Sequence, residues 1–272
     1  MILAAGLQSG GSTLVSWCFL QRPDCDGVLD GDTDLIPLLG EHLTVAENIW
    51  FKTTISSFTL QELIALLEDD GFRVSPMLIV RDVRKTWVSL AKKHYGRNGV
   101  TAEDPPLRLR FRRFLDSWEY ARANNIPVLK FEQFLKQPEV SLGNICAALD
   151  LPWEQAMIDW PKSAGQIGNV RHGNATFRTA DKGNLHAAIE SAGGDKALGS
   201  IHEQDLDWLD EAFGDFNEAM GYPQHLAPSQ FLPGRMKPEW AASRRRKWRL
   251  QQRPLRYLLK KLGLSSYSPR PE

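Results

Sequence analysis

Residues 1–20 read Met1-Ile2-Leu3-Ala4-Ala5-Gly6-Leu7-Gln8-Ser9-Gly10-Gly11-Ser12-Thr13-Leu14-Val15-Ser16-Trp17-Cys18-Phe19-Leu20. A short apolar run leads into a glycine-rich segment, and a second apolar run follows at helical spacing. That order predicts a buried strand, a tight loop and the first turn of a helix. Such a loop turns successive backbone N–H groups toward an anion, and the helix N-terminus adds a partial positive charge. The pattern is G-x-x-x-x-G-x-[ST] from Gly6 to Thr13. Ser12 stands where phosphate-hydrolysing loops of this kind carry a lysine that reaches a γ-phosphate. A phosphate site at residues 9–13 and a loop made for packing are both open on this segment alone.

A second stretch narrows the choice. Met77-Leu78-Ile79-Val80 is a buried strand that ends at Arg81, and Asp82 is suited to cap a helix running through Val83-Arg84-Lys85-Thr86-Trp87-Val88-Ser89. Arg81 then lies at the C-terminal end of a strand, where open α/β sheets bind ligands. Arginine grips a phosphate through two N–H groups, and Ser89, about two turns into the helix, can add a hydroxyl. The plain alternative is a surface Arg81–Asp82 pair with a solvated Ser89.

Together the two stretches resemble the sulfotransferases that use 3′-phosphoadenosine-5′-phosphosulfate (PAPS). Gly6-Leu7-Gln8-Ser9-Gly10-Gly11-Ser12-Thr13-Leu14 is similar to that family's G-L-P-[RK]-S-G-[ST]-T-L, and Arg81 to Ser89 has its R-x7-S spacing. Val128-Leu129-Lys130-Phe131-Glu132-Gln133-Phe134-Leu135-Lys136-Gln137-Pro138 resembles its later strand followed by xYE-x-L-x-x-x-P. The likeness covers residues 1–155 well and 156–222 loosely. It implies an α/β fold, P-loop-like, with a mostly parallel sheet and helices on both faces. It also implies PAPS as co-substrate; no metal is expected, because the six histidines are dispersed without H-x3-H or H-E-x-x-H spacing. Ser9, Gly10, Gly11, Ser12 and Thr13 would hold the 5′-phosphosulfate, and Arg81 and Ser89 the 3′-phosphate. A loop around Arg171, Gly173, Asn174 and Arg178 would close over the nucleotide.

One departure matters for chemistry. The family has Lys or Arg where this chain has Ser9. Sulfonyl transfer builds negative charge on the bridging and leaving oxygens, so a missing cation costs rate unless another supplies it. Lys52, in a strand end resembling the family's [IV]-K-T-[HT], is the expected substitute. An ordinary solvated lysine is the alternative. A base must take the acceptor's proton. The His that follows K-T in one branch is Thr54 here. The carboxylates Asp30, Asp32 and Asp34 stand at alternate positions. Asp34 best matches the catalytic Glu of another branch, and Asp32 is second. A turn with an N-capping Asp explains the cluster equally well. His42 and His94 are weaker candidates. The basic run at 107–113 is either a solvated helix face or an attractor for an anionic acceptor.

The 272 residues fit one α/β domain over 1–222, then a Pro/Gly-rich linker or wrapping arm and a basic, partly helical tail over 223–272. The chain is neutral overall, yet residues 235–272 hold twelve Lys/Arg against two acids. A basic amphipathic helix near 255–262 makes an anionic membrane surface one expected partner, and docking on the chain's own acidic body the other. Nucleic acid is not expected. Cys18, Cys25 and Cys146 have no metal spacing and read as reduced thiols. No basic stretch precedes the first apolar residues, so a cytoplasmic protein, peripheral at a membrane at most, is expected. The expected activity is sulfonate transfer from PAPS to a hydroxyl or amine acceptor, such as a carbohydrate or lipid-linked molecule. Two rivals stand beside it. One is a non-catalytic nucleotide-binding adaptor, favoured by Ser9. The other is a P-loop nucleotide kinase, disfavoured by Ser12 and by Arg81 in place of an acid.

Overall fold

The computed structural model describes residues 1–31, 46–91, 105–167, 183–192, 198–232 and 262. Five strands form one sheet: β1 (Ile2–Gly6), β2 (Cys25–Gly31), β3 (Asn48–Thr54), β4 (Ser75–Val80) and β5 (Val128–Lys130). Their order across the sheet is β2-β3-β1-β4-β5. Every pairing is parallel, with Gly6 level with both Thr54 and Ile79. Parallel pairing forces a crossover after each strand, so helices cover both faces.

Strand alternation sorts the core into two layers. Leu3, Ala5, Phe51, Leu78 and Val80 face one layer. It is covered by α2 (Leu60–Asp69), α3 (Val83–Leu90) and α4 (Pro105–Ala123). Ile2, Ala4, Trp50, Met77 and Ile79 face the other. There α1 (Ser12–Leu20), α5 (Phe131–Lys136), α6 (Pro138–Ala148), α7 (Ala156–Asp159) and α8 (Leu185–Ala192) lie. The first layer is closed by α9 (Glu203–Ala212) and α10 (Gly214–Ala219): Trp208 packs tilted on Trp87, and Phe213 and Phe216 pack edge-on against Phe111 and Trp118. Aromatic edges and faces attract beyond their buried area.

Local chemistry explains the boundaries. Thr59 and Glu62 form a reciprocal capping box at the start of α2. Asp82 caps α3, accepting from the Arg84 and Lys85 amides. The apolar spacing over 203–219 predicts one helix, but it breaks between α9 and α10, where Phe213 leaves the helical region (φ −119°) and Gly214 follows. The buried Phe213 ring sits against Phe111 and Phe216, and Gly214 is a poor helix former. The fifth strand stops one residue before Phe131, which begins α5 instead.

Residues 221–232 are held on the body. Arg84 donates to the Pro223 carbonyl (2.7 Å), and Tyr222 donates to Glu132 (2.9 Å). A parallel bridge pairs Ile201 with Phe231. The basic tail is described at Leu262 alone.

Candidate functional site

The Gly-rich loop lies at the C-terminal edge of the sheet, between β1 and α1. A Cβ at Gly6 would stand 2.7 Å from the Ile79 carbonyl oxygen, so the loop can leave β1 there only as glycine. The Gly10 amide returns to the Leu7 carbonyl (3.0 Å), closing the turn. Ser9 sits at φ 67°, an uncommon conformation for a residue with a Cβ. Gly11, at φ 87°, is the residue before α1, and a Cβ on it would overlap the Phe131 ring. Residues 8–13 carry no charged side chain. The cations come from other elements.

Arg81, at the end of β4, donates from Nη1 to the Ser9 carbonyl (2.9 Å). Its guanidinium lies over the Phe131 ring, 5.5 Å from the centroid. Its Nε is buried and has no hydrogen-bond partner. A buried guanidinium N–H left without an acceptor is costly, so an anion bound beside the loop would satisfy it. Ser89, half-buried on α3, stands seven residues after Asp82 and so on the same helix face, two turns along.

Lys52 is 3 % exposed. It is therefore not a solvated strand-end lysine. It is level with Ala4 of β1 and shares strand parity with Trp50, whose ring stacks on Phe19 of α1 at 4.3 Å. Lys52 thus belongs to the sheet face that α1 covers, two residues short of the level of Gly6. A buried ammonium is found where charge or ligand compensates it.

The basic run at 107–113 is not a uniformly solvated face. Arg110 of α4 donates to the Gln8 side-chain oxygen (3.1 Å). Arg108 lies over the Trp208 ring at 4.8 Å, and Arg113 donates to the Ser56 carbonyl (2.6 Å). Burial draws the Arg113 pKa below its ordinary value against the pull of Glu62 and Asp116. Sequence reading passed over Arg110 because nothing in a run of alternating arginines says which one faces the loop. Phe131 was visible only as part of a strand-and-turn motif.

Beneath Arg81 lies a closed polar network. Glu132 accepts from the Asp82 amide (3.0 Å) and from Tyr222 Oη. Burial, with the Glu132 charge second, pushes the Tyr222 phenol well above its usual range. Asp82 and Asp210 both bind Arg84, at 2.9 and 3.2 Å. These contacts fix the corner from which Arg81 projects.

The structure therefore brings Ser9, Gly10, Gly11, Ser12 and Thr13 together with Arg81. It places Lys52 at the same edge of the sheet. Asp32, Asp34, His42, His94, Arg171, Gly173, Asn174 and Arg178 lie outside the described residues. Among the described residues no group of three or more His, Cys, Asp or Glu could hold a metal, and no helix is long and apolar enough to cross a membrane.

A sulfotransferase domain from the Synechococcus olefin synthase superposes with a TM-score of 0.50 at 14 % identity, covering 79 % of this chain and 94 % of that one. The fold is the P-loop-like α/β fold of sulfotransferase domains. A mouse sulfotransferase complexed with PAP aligns at a TM-score of 0.48 and 13 % identity, over 81 % of this chain and 87 % of that one. A sulfotransferase domain from the curacin biosynthetic pathway aligns at 0.42 and 13 % identity, over 92 % and 97 %. No family model matches the chain, and no curated protein matches it.

Proposed function

We propose that this chain is a PAPS-dependent sulfotransferase acting on a hydroxyl or amine acceptor. The observation that carries the reading is the convergence of a glycine-built anion loop, Arg81 and the buried Lys52 at one edge of the parallel sheet. The amides of residues 10–13 and the N-terminus of α1 would hold the 5′-phosphosulfate. Arg81 and Ser89 would hold the 3′-phosphate. The acceptor oxygen attacks sulfur, the bond from sulfur to the bridging oxygen breaks, and 3′,5′-diphosphoadenosine leaves. The acceptor proton goes to a base, for which Asp34 and then Asp32 are the candidates. Lys52 would meet the charge growing on the bridging oxygen, an interaction stronger in the transition state than before it. With Ser12 in place of the γ-phosphate lysine, the loop suits a donor without a γ-phosphate. The further expectations are a carbohydrate or lipid-linked acceptor, a basic tail that meets an anionic membrane surface, and a cytoplasmic location.

A thermal-shift comparison tests the reading. Stabilisation by 3′,5′-diphosphoadenosine without stabilisation by ATP–Mg²⁺ supports it, and the reverse favours a nucleotide kinase. In a radiolabelled transfer assay across an acceptor panel, Lys52→Ala is expected to lower turnover far more than nucleotide affinity. Full turnover in that variant would remove Lys52 from the chemistry. Nucleotide binding without any transfer, for wild type as for variant, would favour the adaptor reading.

A further inference from the structure

We infer that Arg110, from helix α4, is the side chain that binds the 5′-phosphate end of the nucleotide, supplying from outside the loop the cation that the loop itself lacks. This rests on the nucleotide reading proposed above and adds a residue that the sequence motifs do not mark. A phosphate monoester carries about −1.5 to −2 charges at neutral pH, while a helix N-terminus offers about half a positive charge. Residues 8–13 add none. The amides can orient such a ligand, but most of its charge must be met by side chains from elsewhere.

Four arginines lie at 108, 110, 112 and 113, and three have other directions. Arg108 rests on Trp208, Arg112 is exposed and Arg113 holds the Ser56 carbonyl. Arg110 crosses from the layer that α4 covers to the loop and grips the Gln8 amide oxygen. Lys52 belongs to the opposite face of the sheet, the one under α1, level with Ala4. Arg81 holds the Ser9 carbonyl. Gln8 holds Arg110 beside the loop through a neutral hydrogen bond, which is weaker than the charge-assisted pair a phosphate would offer.

The test compares two ligands that differ at one end. Isothermal titration of 3′,5′-diphosphoadenosine and of adenosine 3′-monophosphate is carried out with wild type, Arg110→Gln, Arg110→Lys and Gln8→Ala. Arg110→Gln is expected to weaken the diphosphate by about tenfold or more while leaving the monophosphate within about twofold. Arg110→Lys should retain most of the difference between the ligands. Gln8→Ala should keep the diphosphate within about threefold, because Gln8 only holds the arginine in place. Ser9→Arg added to Arg110→Gln should restore the difference by returning a cation to the loop. Equal weakening of both ligands, or Gln8→Ala matching Arg110→Gln, would make Arg110 a structural clip and overturn the inference. So would unchanged affinities. If wild type binds neither ligand, the nucleotide reading itself fails and the inference falls with it. Should Arg110→Gln melt far below wild type, Arg110→Lys and Gln8→Ala still decide, since both keep a positive charge at position 110.

Discussion

Arg81 and Arg84 are three residues apart, yet the structure treats them in opposite ways. Arg84 is wholly buried and answered by two carboxylates, those of Asp82 and Asp210, together with the carbonyls of Pro223 and Gln224. Arg81 has a carbonyl and an aromatic face, a buried Nε with no acceptor, and no ion pair with any described carboxylate. An arginine with its charge fully met inside the fold holds the fold together. An arginine whose charge is left over at the edge of a parallel sheet, beside a loop of amides, is available to a ligand. The two regions divide the work: the network of Glu132, Asp82, Arg84 and Tyr222 builds the corner, and the loop with Arg81 uses it.

That division is open to attack by mutation. Arg84→Met should be the most damaging change, because it leaves Asp82 buried without its charge partner; a loss of about 3–5 kcal/mol of stability is expected in urea unfolding. A loss under about 1 kcal/mol would place the corner's stability elsewhere. Gly11→Ala comes next, since its Cβ would meet the Phe131 ring at a backbone angle that L-residues avoid. It should cost about 2 kcal/mol in the same unfolding experiment and abolish detectable nucleotide binding. Retained binding would show that the loop can be rebuilt without its glycine.

The smallest effect is confined to alkaline pH. The Tyr222 phenol is raised from 10.0 by burial and by Glu132, and the Cys25 thiol is pushed from 9.0 up to about 12, chiefly by burial. Both native pKa values lie above the unfolded ones. Their stabilisation is therefore complete below about pH 9 and is lost as pH rises, because the unfolded chain ionises first. Stability should hold level from pH 7 to 8.5 and then fall, each group adding up to about 1.4 kcal/mol per pH unit. Tyr222→Phe should flatten the decline above pH 10 and leave that due to the buried thiols of Cys18, Cys25 and Cys146, all raised chiefly by burial. An unchanged slope would mean that Tyr222 already ionises freely in the folded chain.

Much of the fold was legible in the sequence because its strands are short apolar runs separated by helix-period segments. The first, third, fourth and fifth strands fall on such runs, whereas β2 carries two aspartates and two glycines, and Asp82 caps its helix as its position suggests. The break at Phe213–Gly214 was not legible, because the apolar period runs through it and it is the packing of Phe213 on Phe111 that turns the chain. At the site, Gly6, Gly11 and Arg81 could be read from spacing, since the loop and strand end are local features. Arg110 could not, because its meeting with Gln8 spans 102 residues of chain. Phe131 was equally hidden, since only the close approach to Gly11 gives it a role. Lys52 was located but its burial was not: a lysine at a strand end looks solvated until its neighbours across the sheet are known.

The central claim is that Arg81 is kept free of internal charge so that it can bind the nucleotide, while Arg84 is not. Calorimetric titration of 3′,5′-diphosphoadenosine into wild type and Arg81→Met tests it most directly. The account predicts binding by wild type, weakened by about 2 kcal/mol in Arg81→Met, roughly thirtyfold, with a melting temperature within about 2 °C of wild type. Equal affinity in the two proteins, or a collapse of stability in Arg81→Met without a specific loss of binding, would contradict it.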